Sequence, residues 1–253
     1  QEALQYSTTE GYNPLRKQIA ERMKVFGIDT VGEEILITSG SQQGLDFSGK
    51  IFLNPDDVVV VESPSYLGAI NAFKAYQCKF VEVPTDKDGM IMEELDRILG
   101  ETENVKFIYV IPDFQNPTGK TWPLDRRKEF IKLANKYDLP VVEDNPYGEL
   151  RFEGEIPPSI KSLDTEGRVI FLGTFSKTFT PGLRMGWVNA NPEILNKYIM
   201  VKQGSDLQTN SMTQRELSTY LDMYDLDEHI EKIKAVYRSR RDLMLKTMEE
   251  NFP

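Results

Sequence analysis

Short, continuous runs of Val, Ile and other apolar residues alternate with helical patterns along most of the chain. Seven runs are predicted to be buried strands, at residues 35–39, 58–62, 79–83, 105–111, 139–144, 168–174 and 186–190. Strands that are apolar on both faces and separated by helices are typical of a mainly parallel sheet covered on both sides. The sequence therefore predicts an α/β fold of three layers around a mainly parallel, seven-stranded sheet.

Polar segments follow five of these strands, at the point where each strand ends. They are 39–43 (SGSQQ), 63–66 (SPSY), 112–119 (PDFQNPTG), 143–147 (EDNPY) and 174–178 (TFSKT). In sheets of this type, ligands bind beyond the carboxyl ends of the strands. We therefore expect the five segments to converge on one binding site.

The first of these segments has the features of an anion site. Gly40 and Ser41 lead from a strand into a helix, where free N–H groups, the Ser41 hydroxyl and the helix dipole favour an anion. Taken alone, the segment is more often an ordinary serine N-cap. Thr174 and Ser176 could add hydroxyl groups, and Arg184 a fixed positive charge.

The overall charge argues against one class of partner. Acidic residues outnumber basic ones 40 to 30, which gives a net charge of −10 and disfavours a nucleic-acid backbone as the main ligand. A bound phosphate must therefore be held by local geometry. The sequence has no apolar run of transmembrane length and no spacing typical of a metal site, and the lone Cys78 fits a reducing compartment. We expect a cytoplasmic protein without metal, membrane or nucleic-acid partners.

A second group of residues suits an aromatic ligand. Lys177 is a single cation among hydroxyl residues and could carry covalent chemistry. Asp144 ends an apolar strand, where a buried carboxylate is costly unless it is paired. Asn116 and Tyr147 offer an amide and a phenol, and Tyr66 offers a flat face. Each of these residues could instead be structural, Asp144 as a solvated turn residue before a proline.

Taken together, the two groups describe a single ligand. They provide for a phosphate, a ring nitrogen that needs a carboxylate, a ring oxygen that needs donors, a flat face, and an aldehyde that reacts with lysine. That ligand is pyridoxal 5′-phosphate. A lysine in such a site can have its pKa lowered, which frees the amine to form a Schiff base.

Four motifs carry a resemblance to a known family. TSGSQQGLD, FQNPTG, EDNPYGELRF and GTFSKTFTPGLRMGW resemble the fold-type I aminotransferases of the aspartate aminotransferase superfamily. The 2-aminoadipate/kynurenine aminotransferase group is the most similar. The resemblance begins at LQYSTTEGYNPLRKQIAERM and covers nearly the whole chain. It implies a ping-pong transfer of an amino group from an L-amino acid to a 2-oxo acid.

The resemblance also implies roles for individual residues. Lys177 would form the Schiff base and move the substrate proton, Asp144 would pair with the pyridine nitrogen, and Tyr66 would stack on the ring. Asn116 and Tyr147 would bond the ring oxygen. The residues that would bind the phosphate are Gly40, Ser41, Gln42, Thr174, Ser176 and Arg184.

Family features beyond the cofactor site lead to further expectations. Tyr6 matches a tyrosine that reaches the phosphate of the neighbouring subunit, which implies a homodimer. Residues 1–224 would form the cofactor-binding large domain, truncated at its N-terminus, and 225–253 a connecting helix toward a small domain that is absent here. The family's arginine for the substrate carboxylate is expected beyond Pro253. Asn145 stands where relatives often have a second aspartate, and it is expected to point away from the site.

Two alternative functions stay open at this point. One is the aminotransferase-like effector domain of a MocR-type transcriptional regulator, which binds pyridoxal phosphate without turning over amino acids. The other is a pyridoxal-phosphate lyase on the same fold. His229, Cys78 and the basic run 238–242 lack partner clusters, and we interpret them as structural or surface residues.

Overall fold

An eight-stranded mixed sheet forms the centre of the chain in the computed structural model, which describes residues 4–252. The strands are β1 Ile35–Thr38, β2 Val58–Ser63, β3 Lys79–Asp86, β4 Gly89–Met90, β5 Val105–Val110, β6 Val141–Asp144, β7 Val169–Thr174 and β8 Gly186–Asn189. All seven predicted strands are present. The predicted number was too small by one, because the two-residue β4 is too short to carry an apolar pattern.

The strand order is β1-β8-β7-β6-β5-β2-β3-β4. β3, β2, β5, β6 and β7 pair in parallel, whereas β8 is antiparallel to both of its neighbours, β7 and β1. Since β8 is antiparallel to both, β1 runs in the same direction as β7. The carboxyl ends of β1, β2, β5, β6 and β7 therefore lie at one edge of the sheet, where the five polar segments begin.

Eight α-helices surround the sheet within the described part of the chain. They are α1 Asn13–Arg22, α2 Ser41–Phe52, α3 Leu67–Lys74, α4 Met92–Glu101, α5 Leu124–Lys136, α6 Pro192–Ser205, α7 Ser211–Met223 and α8 Leu226–Asn251. The helical pattern predicted from Pro192 onward is divided into three helices. The side chains of Asn191, Asn210 and Asp225 cap their starts by accepting backbone N–H bonds. Among residues 4–252, no helix is long and apolar enough to cross a membrane.

Alternate side chains of each central strand enter different apolar clusters. Val59 and Val61 of β2 pack with α2, α3 and α6, whereas Val58 and Val60 pack with α4 and α5. A third cluster joins β1, β7 and β8 to α1 and α7. Both faces of the sheet are thus covered, which explains why the strands are continuously apolar. The predicted three-layer α/β fold is confirmed.

A buried ion pair fixes the segment that follows β5. Arg127 of α5 makes two bonds to Asp113, with Nη2–Oδ1 and Nη1–Oδ2 distances of 2.8 and 3.2 Å, and their side chains are 0% and 1% exposed. The Asn145 amide donates to the same carboxylate at 3.1 Å. Asn145 therefore faces this cluster, as expected. The cluster ties the ends of β5 and β6 to helix α5.

Replacing Arg127 with methionine should leave Asp113 buried without its main counter-charge. We expect Arg127→Met to lower the free energy of unfolding by about 3–5 kcal/mol, as measured by urea denaturation. Arg97→Met is the matched control, because Arg97 pairs with Glu94 at the surface with 53% of its side chain exposed. The control should cost less than about 1 kcal/mol. Equal costs for the two variants would contradict the importance of the buried pair.

Candidate active site

A cavity of about 240 Å³, here called the polar cavity, lies at the carboxyl edge of the sheet. Its lining consists of Ser41, Gln42, Tyr66, Ile111, Asn116, Asp144, Pro146, Tyr147, Thr174, Ser176, Lys177, Pro181 and Arg184. Ten of the twelve predicted site residues are in this lining. Gly40 is outside the lining but directly precedes Ser41, and Tyr6 is also outside it, with 84% of its surface exposed. The five segments therefore converge as expected, although the role of each residue stays a prediction.

Two glycines allow a close approach at one end of the polar cavity. Gly40 has φ +80° and caps α2, and a Cβ atom there would lie 2.4 Å from Arg184 Nη2. A Cβ atom at Gly186 would lie 2.6 Å from the backbone nitrogen of Ser41. The first N–H groups of α2 have no partner within the helix. Together with the Ser41 hydroxyl and the Arg184 guanidinium, they form a cradle suited to an anion.

The hydroxyl groups after β7 do not contribute equally to this cradle. Thr174 is buried, and its Oγ1 lies 3.1 Å from the Met185 carbonyl oxygen and 2.9 Å from Ser176 Oγ. A hydroxyl has one proton, so Thr174 has no donor to spare for a ligand. Ser176 Oγ lies 3.4 Å from Arg184 Nη1 at the surface of the cavity. Ser176 keeps its proton for a ligand when Thr174 donates to Ser176 Oγ, and its position beside Arg184 favours Ser176 as the ligand contact, with Thr174 as its support.

Asp144 has a buried carboxyl group that is only half satisfied. Its Oδ2 accepts a hydrogen bond of 3.0 Å from the Tyr109 hydroxyl, whereas its Oδ1 is buried without a hydrogen-bond partner in residues 4–252. Burial raises the pKa of Asp144 to about 7, and the bond from Tyr109 opposes that shift. A cationic N–H donor in the polar cavity would supply the missing partner and favour the charged carboxylate.

Lys177 and its neighbours are placed to contact a flat ligand. The Lys177 Nζ atom lies 6.0 Å from the centre of the Tyr147 ring, and it makes no hydrogen bond within residues 4–252. Asn116 Nδ2 lies 3.5 Å from the Tyr147 hydroxyl, so these two polar groups adjoin each other. Tyr66 lies at the start of α3 and in the lining, and burial, followed by the Asp144 charge, raises the pKa of its phenol.

A second cavity of about 490 Å³, here called the apolar cavity, adjoins the polar one. The two share Asn116, Tyr147 and Lys177. The remaining lining is mostly aromatic or aliphatic, and consists of Phe114, Gln115, Pro117, Gly119, Leu150, Phe152 and Tyr237. A molecule that reacts at Lys177 can therefore extend an apolar group into this space.

Two buried residues near the site were not predicted to be part of it. Tyr109 holds Asp144, and Glu62 accepts hydrogen bonds from Trp122 Nε1 at 3.0 Å and from the Ile111 backbone N–H at 3.1 Å. Burial raises the pKa of Glu62 to about 7. A signal existed for both, since a tyrosine or a glutamate within an apolar strand needs a buried polar partner. The sequence did not show which partner it would be.

The arrangement fits pyridoxal phosphate on structural grounds. The unbonded Asp144 Oδ1 suits a protonated ring nitrogen, and the glycine-lined cradle suits a phosphate. Asn116 and Tyr147 can bond a ring oxygen, and the Lys177 amine can react with an aldehyde. No group of His, Cys, Asp and Glu side chains within residues 4–252 is arranged to hold a metal ion.

The family model for aminotransferase class I and II matches residues 1–253. The chain belongs to this family.

Relatives and solved structures agree with this assignment. Aromatic-amino-acid aminotransferase 1 of Thermococcus litoralis is 49% identical over 100% of this chain and 62% of that protein. The 2-aminoadipate transaminase of Thermus thermophilus is 42% identical over 99% of this chain and 62% of that protein. The crystal structure of Pyrococcus horikoshii kynurenine aminotransferase in complex with PMP has a TM-score of 0.94 at 47% identity, covering 99% of this chain and 63% of that one. The chain thus spans less than two thirds of the length of these relatives.

Transcriptional regulators are also similar to the chain. An uncharacterised HTH-type regulator of Bacillus subtilis is 32% identical over 98% of this chain and 51% of the regulator. This identity is lower than that of the aminotransferases, so the regulator is the weaker of the two comparisons.

Without a ligand, the protein should lose stability as the pH rises from about 4.5 to about 7. Burial raises the pKa values of Glu62, Glu143 and Asp144 to about 7, so the folded state keeps these protons at a pH where the unfolded chain has lost them. Asp144→Asn removes one such group. The variant should reduce the slope of unfolding free energy against pH by up to about 1.4 kcal/mol per pH unit in that window.

Urea denaturation between about pH 5 and about pH 8 measures this slope. Asp56→Asn is the control, because the Asp56 side chain is 77% exposed, and it should leave the slope unchanged. An Asp144→Asn variant with the wild-type slope would show that the Asp144 carboxyl group is not held in its uncharged form.

Proposed function

We propose that this chain is the cofactor-binding part of a pyridoxal-phosphate-dependent aminotransferase. The observation that carries the proposal is the buried, unbonded oxygen of Asp144 in the same cavity as Lys177 and a glycine-lined anion cradle. When bound, pyridoxal phosphate supplies an electron-accepting ring that stabilises negative charge at the substrate α-carbon.

Each residue of the site has a defined task in this proposal. Asp144 keeps the ring nitrogen protonated, and Tyr109 holds the Asp144 carboxyl group in position. Asn116 and Tyr147 donate to the ring oxygen, and Tyr66 stacks on the ring. The phosphate is held by Gly40, Ser41, Gln42, Ser176 and Arg184, with Thr174 supporting Ser176.

Lys177 carries the chemistry that the protein itself performs. Its amine would hold the cofactor through the aldehyde group, and it would be free to act on the substrate once an amino acid takes that position. The freed amine then takes the proton from the α-carbon of the substrate and returns it later in the reaction, acting as general base and acid. Overall, the amino group of an L-amino acid is transferred to a 2-oxo acid. The donor leaves as its 2-oxo acid, and the acceptor leaves as an L-amino acid.

The apolar cavity supports a donor with an aromatic or large apolar side chain. Phe114, Leu150, Phe152 and Tyr237 line the space that a side chain could occupy once the amino group lies at Lys177. The relatives named for aromatic amino acids and kynurenine are consistent with such a substrate.

We also propose the organisation of the protein around this site. Residues 1–224 form the cofactor-binding domain, and 225–253, which include α8, form a connecting helix. Two copies form a homodimer in which Tyr6 contacts the phosphate bound by the other subunit. The high exposure of Tyr6 supports this role, because its hydroxyl group is free to reach another chain. A cytoplasmic location fits the reducing environment suggested by the lone free Cys78.

The effector domain of a transcriptional regulator remains the second candidate. Its support is the 32% identity to a regulator over nearly the whole chain. The aminotransferase is favoured because relatives named for that activity reach 49% identity over the same residues. Turnover of an amino acid distinguishes the two candidates.

Titration with pyridoxal phosphate tests the proposal directly. The wild-type protein should develop the visible absorbance band of a lysine-bound aldehyde, and Lys177→Ala should not, because it lacks the reacting amine. Adding excess L-phenylalanine should then bleach the wild-type band, and L-glutamate serves as a second donor. Lys136→Ala is the control, since Lys136 is an exposed lysine on α5.

The outcomes separate the candidate functions. A Lys177-dependent band that no amino acid bleaches would show that this chain binds the cofactor without turning over amino acids. A band that persists in Lys177→Ala would contradict the proposed role of Lys177. Ammonia released in step with amino-acid consumption would indicate a lyase instead.

Mixed dimers test the role of Tyr6. Tyr6→Phe should weaken pyridoxal phosphate binding about tenfold, through loss of a hydrogen bond to a charged group. Mixing Tyr6→Phe with Lys177→Ala should restore tight binding in part, because each mixed dimer then has one site with Lys177 from one subunit and Tyr6 from the other. If Tyr6 acts within its own subunit, mixing will restore nothing.

A further inference from the structure

A buried lysine outside the polar cavity contacts the first turn of α2, the helix that forms the anion cradle. The Lys202 side chain, on α6, is 0% exposed, and its ammonium donates to both oxygens of Asp206 at 2.8 and 3.0 Å. It also donates to Gln43 Oε1 at 2.9 Å. Burial lowers the pKa of Lys202, and the contact with Asp206 opposes this shift. A buried cation is costly unless it is well paired, so its position here needs a physical reason.

Gln43 connects this ion pair to the turn that forms the cradle. Its Oε1 accepts the Ser39 backbone N–H at 2.9 Å as well as the Lys202 ammonium, and its Nε2 donates to Asp206 Oδ2 at 2.8 Å. Gln43 is the third residue of α2, and its side chain reaches back across the start of the helix to Ser39, the residue before the N-cap Gly40.

The ion pair determines which way the Gln43 amide faces. If the amide were reversed, its NH₂ group would meet the Lys202 ammonium and the Ser39 N–H, which are both donors, and its oxygen would meet the Asp206 carboxylate. All three contacts would become unfavourable. Lys202 and Asp206 together therefore hold the amide oxygen toward Ser39, and so hold the turn from Ser39 to Ser41.

Two further hydrogen bonds restrict the backbone of the turn from Ser39 to Ser41. Gly40 donates to the Thr38 carbonyl oxygen at 2.9 Å, and the Thr38 hydroxyl donates to the Gly40 carbonyl oxygen at 3.0 Å. The contact between Ser39 and Gln43 closes the turn from its outer side. The direction of the free N–H groups at Ser41 and Gln42 depends on that closure.

We propose that Lys202, Asp206 and Gln43 form a positioning relay for phosphate recognition, in which the buried Lys202 of α6, paired with Asp206 at the end of that helix, sets the geometry of the cradle at the start of α2. The relay rests on the proposed function and extends it to residues that do not line the polar cavity. Lys202 is a positioning residue, because it acts through Gln43 and the turn.

Comparing pyridoxal phosphate with pyridoxal tests the relay, because the two ligands share the ring and the aldehyde and differ in the phosphate. Lys202→Met removes the ammonium while retaining most of the side-chain volume. We expect it to weaken binding of pyridoxal phosphate about tenfold. Binding of pyridoxal should change less than about twofold. Absorbance titration of the wild-type and variant proteins measures both affinities.

Tyr198→Phe is the matched control. Tyr198 lies one turn before Lys202 on α6, is equally buried, and bonds Ser48 at 2.7 Å rather than the cradle. It should leave the ratio of the two affinities unchanged. A Lys202→Met variant with wild-type affinity for pyridoxal phosphate, or with equal losses for both ligands, would overturn the relay.

A second test moves the carboxylate from position 206 to position 43. The buried lysine and one counter-charge are then both retained. Gln43→Glu and Asp206→Asn should each weaken pyridoxal phosphate binding. Their combination should restore it to within about threefold of the wild type, because the carboxylate then at position 43 can accept from Ser39 and Lys202 while the amide at position 206 donates to it. If the double variant does not recover pyridoxal phosphate binding, the relay is also overturned. This test remains decisive if the Lys202→Met variant does not fold. A wild-type protein that binds neither ligand would instead contradict the proposed function.

Discussion

The buried carboxyl group of Asp144 imposes the strongest physical constraint on this structure. A sheet covered by helices on both faces leaves little water at the end of β6, so an ionised carboxylate there is unstable until a cation is brought to it. Tyr109 satisfies one oxygen and leaves the other unbonded. The unliganded fold is therefore less stable at neutral pH than its core would allow. A ligand with a cationic N–H group removes that cost, which links binding to folding stability.

Neighbouring residues of β6 show how the same chemistry can be structural or functional. Glu143 and Asp144 are adjacent and buried, and their side chains leave opposite faces of the strand. Glu143 accepts backbone N–H bonds from Ile160 at 3.0 Å and Lys161 at 2.7 Å, so both of its oxygens have partners. Glu62 is likewise bonded through both oxygens. A raised pKa is common to all three acids. The unbonded oxygen, and its place in the polar cavity, distinguish Asp144.

Features that depend on a local pattern of residues could be predicted from the sequence. The seven longer strands have continuous apolar runs, and the residues that line the polar cavity lie immediately after strands whose carboxyl ends must meet at one edge. Features that depend on distant pairs were not accessible. Tyr109 and Asp144 are 35 positions apart, and Lys202 and Gln43 are 159 apart. Strand β4 is too short to carry a pattern. The contacts of the Thr174 hydroxyl became visible only with the positions of Ser176 Oγ and the Met185 carbonyl oxygen.

The polar and apolar cavities are built from different parts of the fold. The polar cavity is formed mainly by residues at strand ends and at helix starts, which the sheet and its core hold in place. The apolar cavity is formed by the loops after β5 and β6 and by Tyr237 of α8. Lys177, Asn116 and Tyr147 belong to both and lie where the two cavities meet. A change in the loops or in the position of α8 would therefore alter the space for a side chain and leave the Asp144 carboxyl group and the anion cradle unchanged. The residues that surround the apolar space can therefore vary without a change in the residues that line the polar cavity.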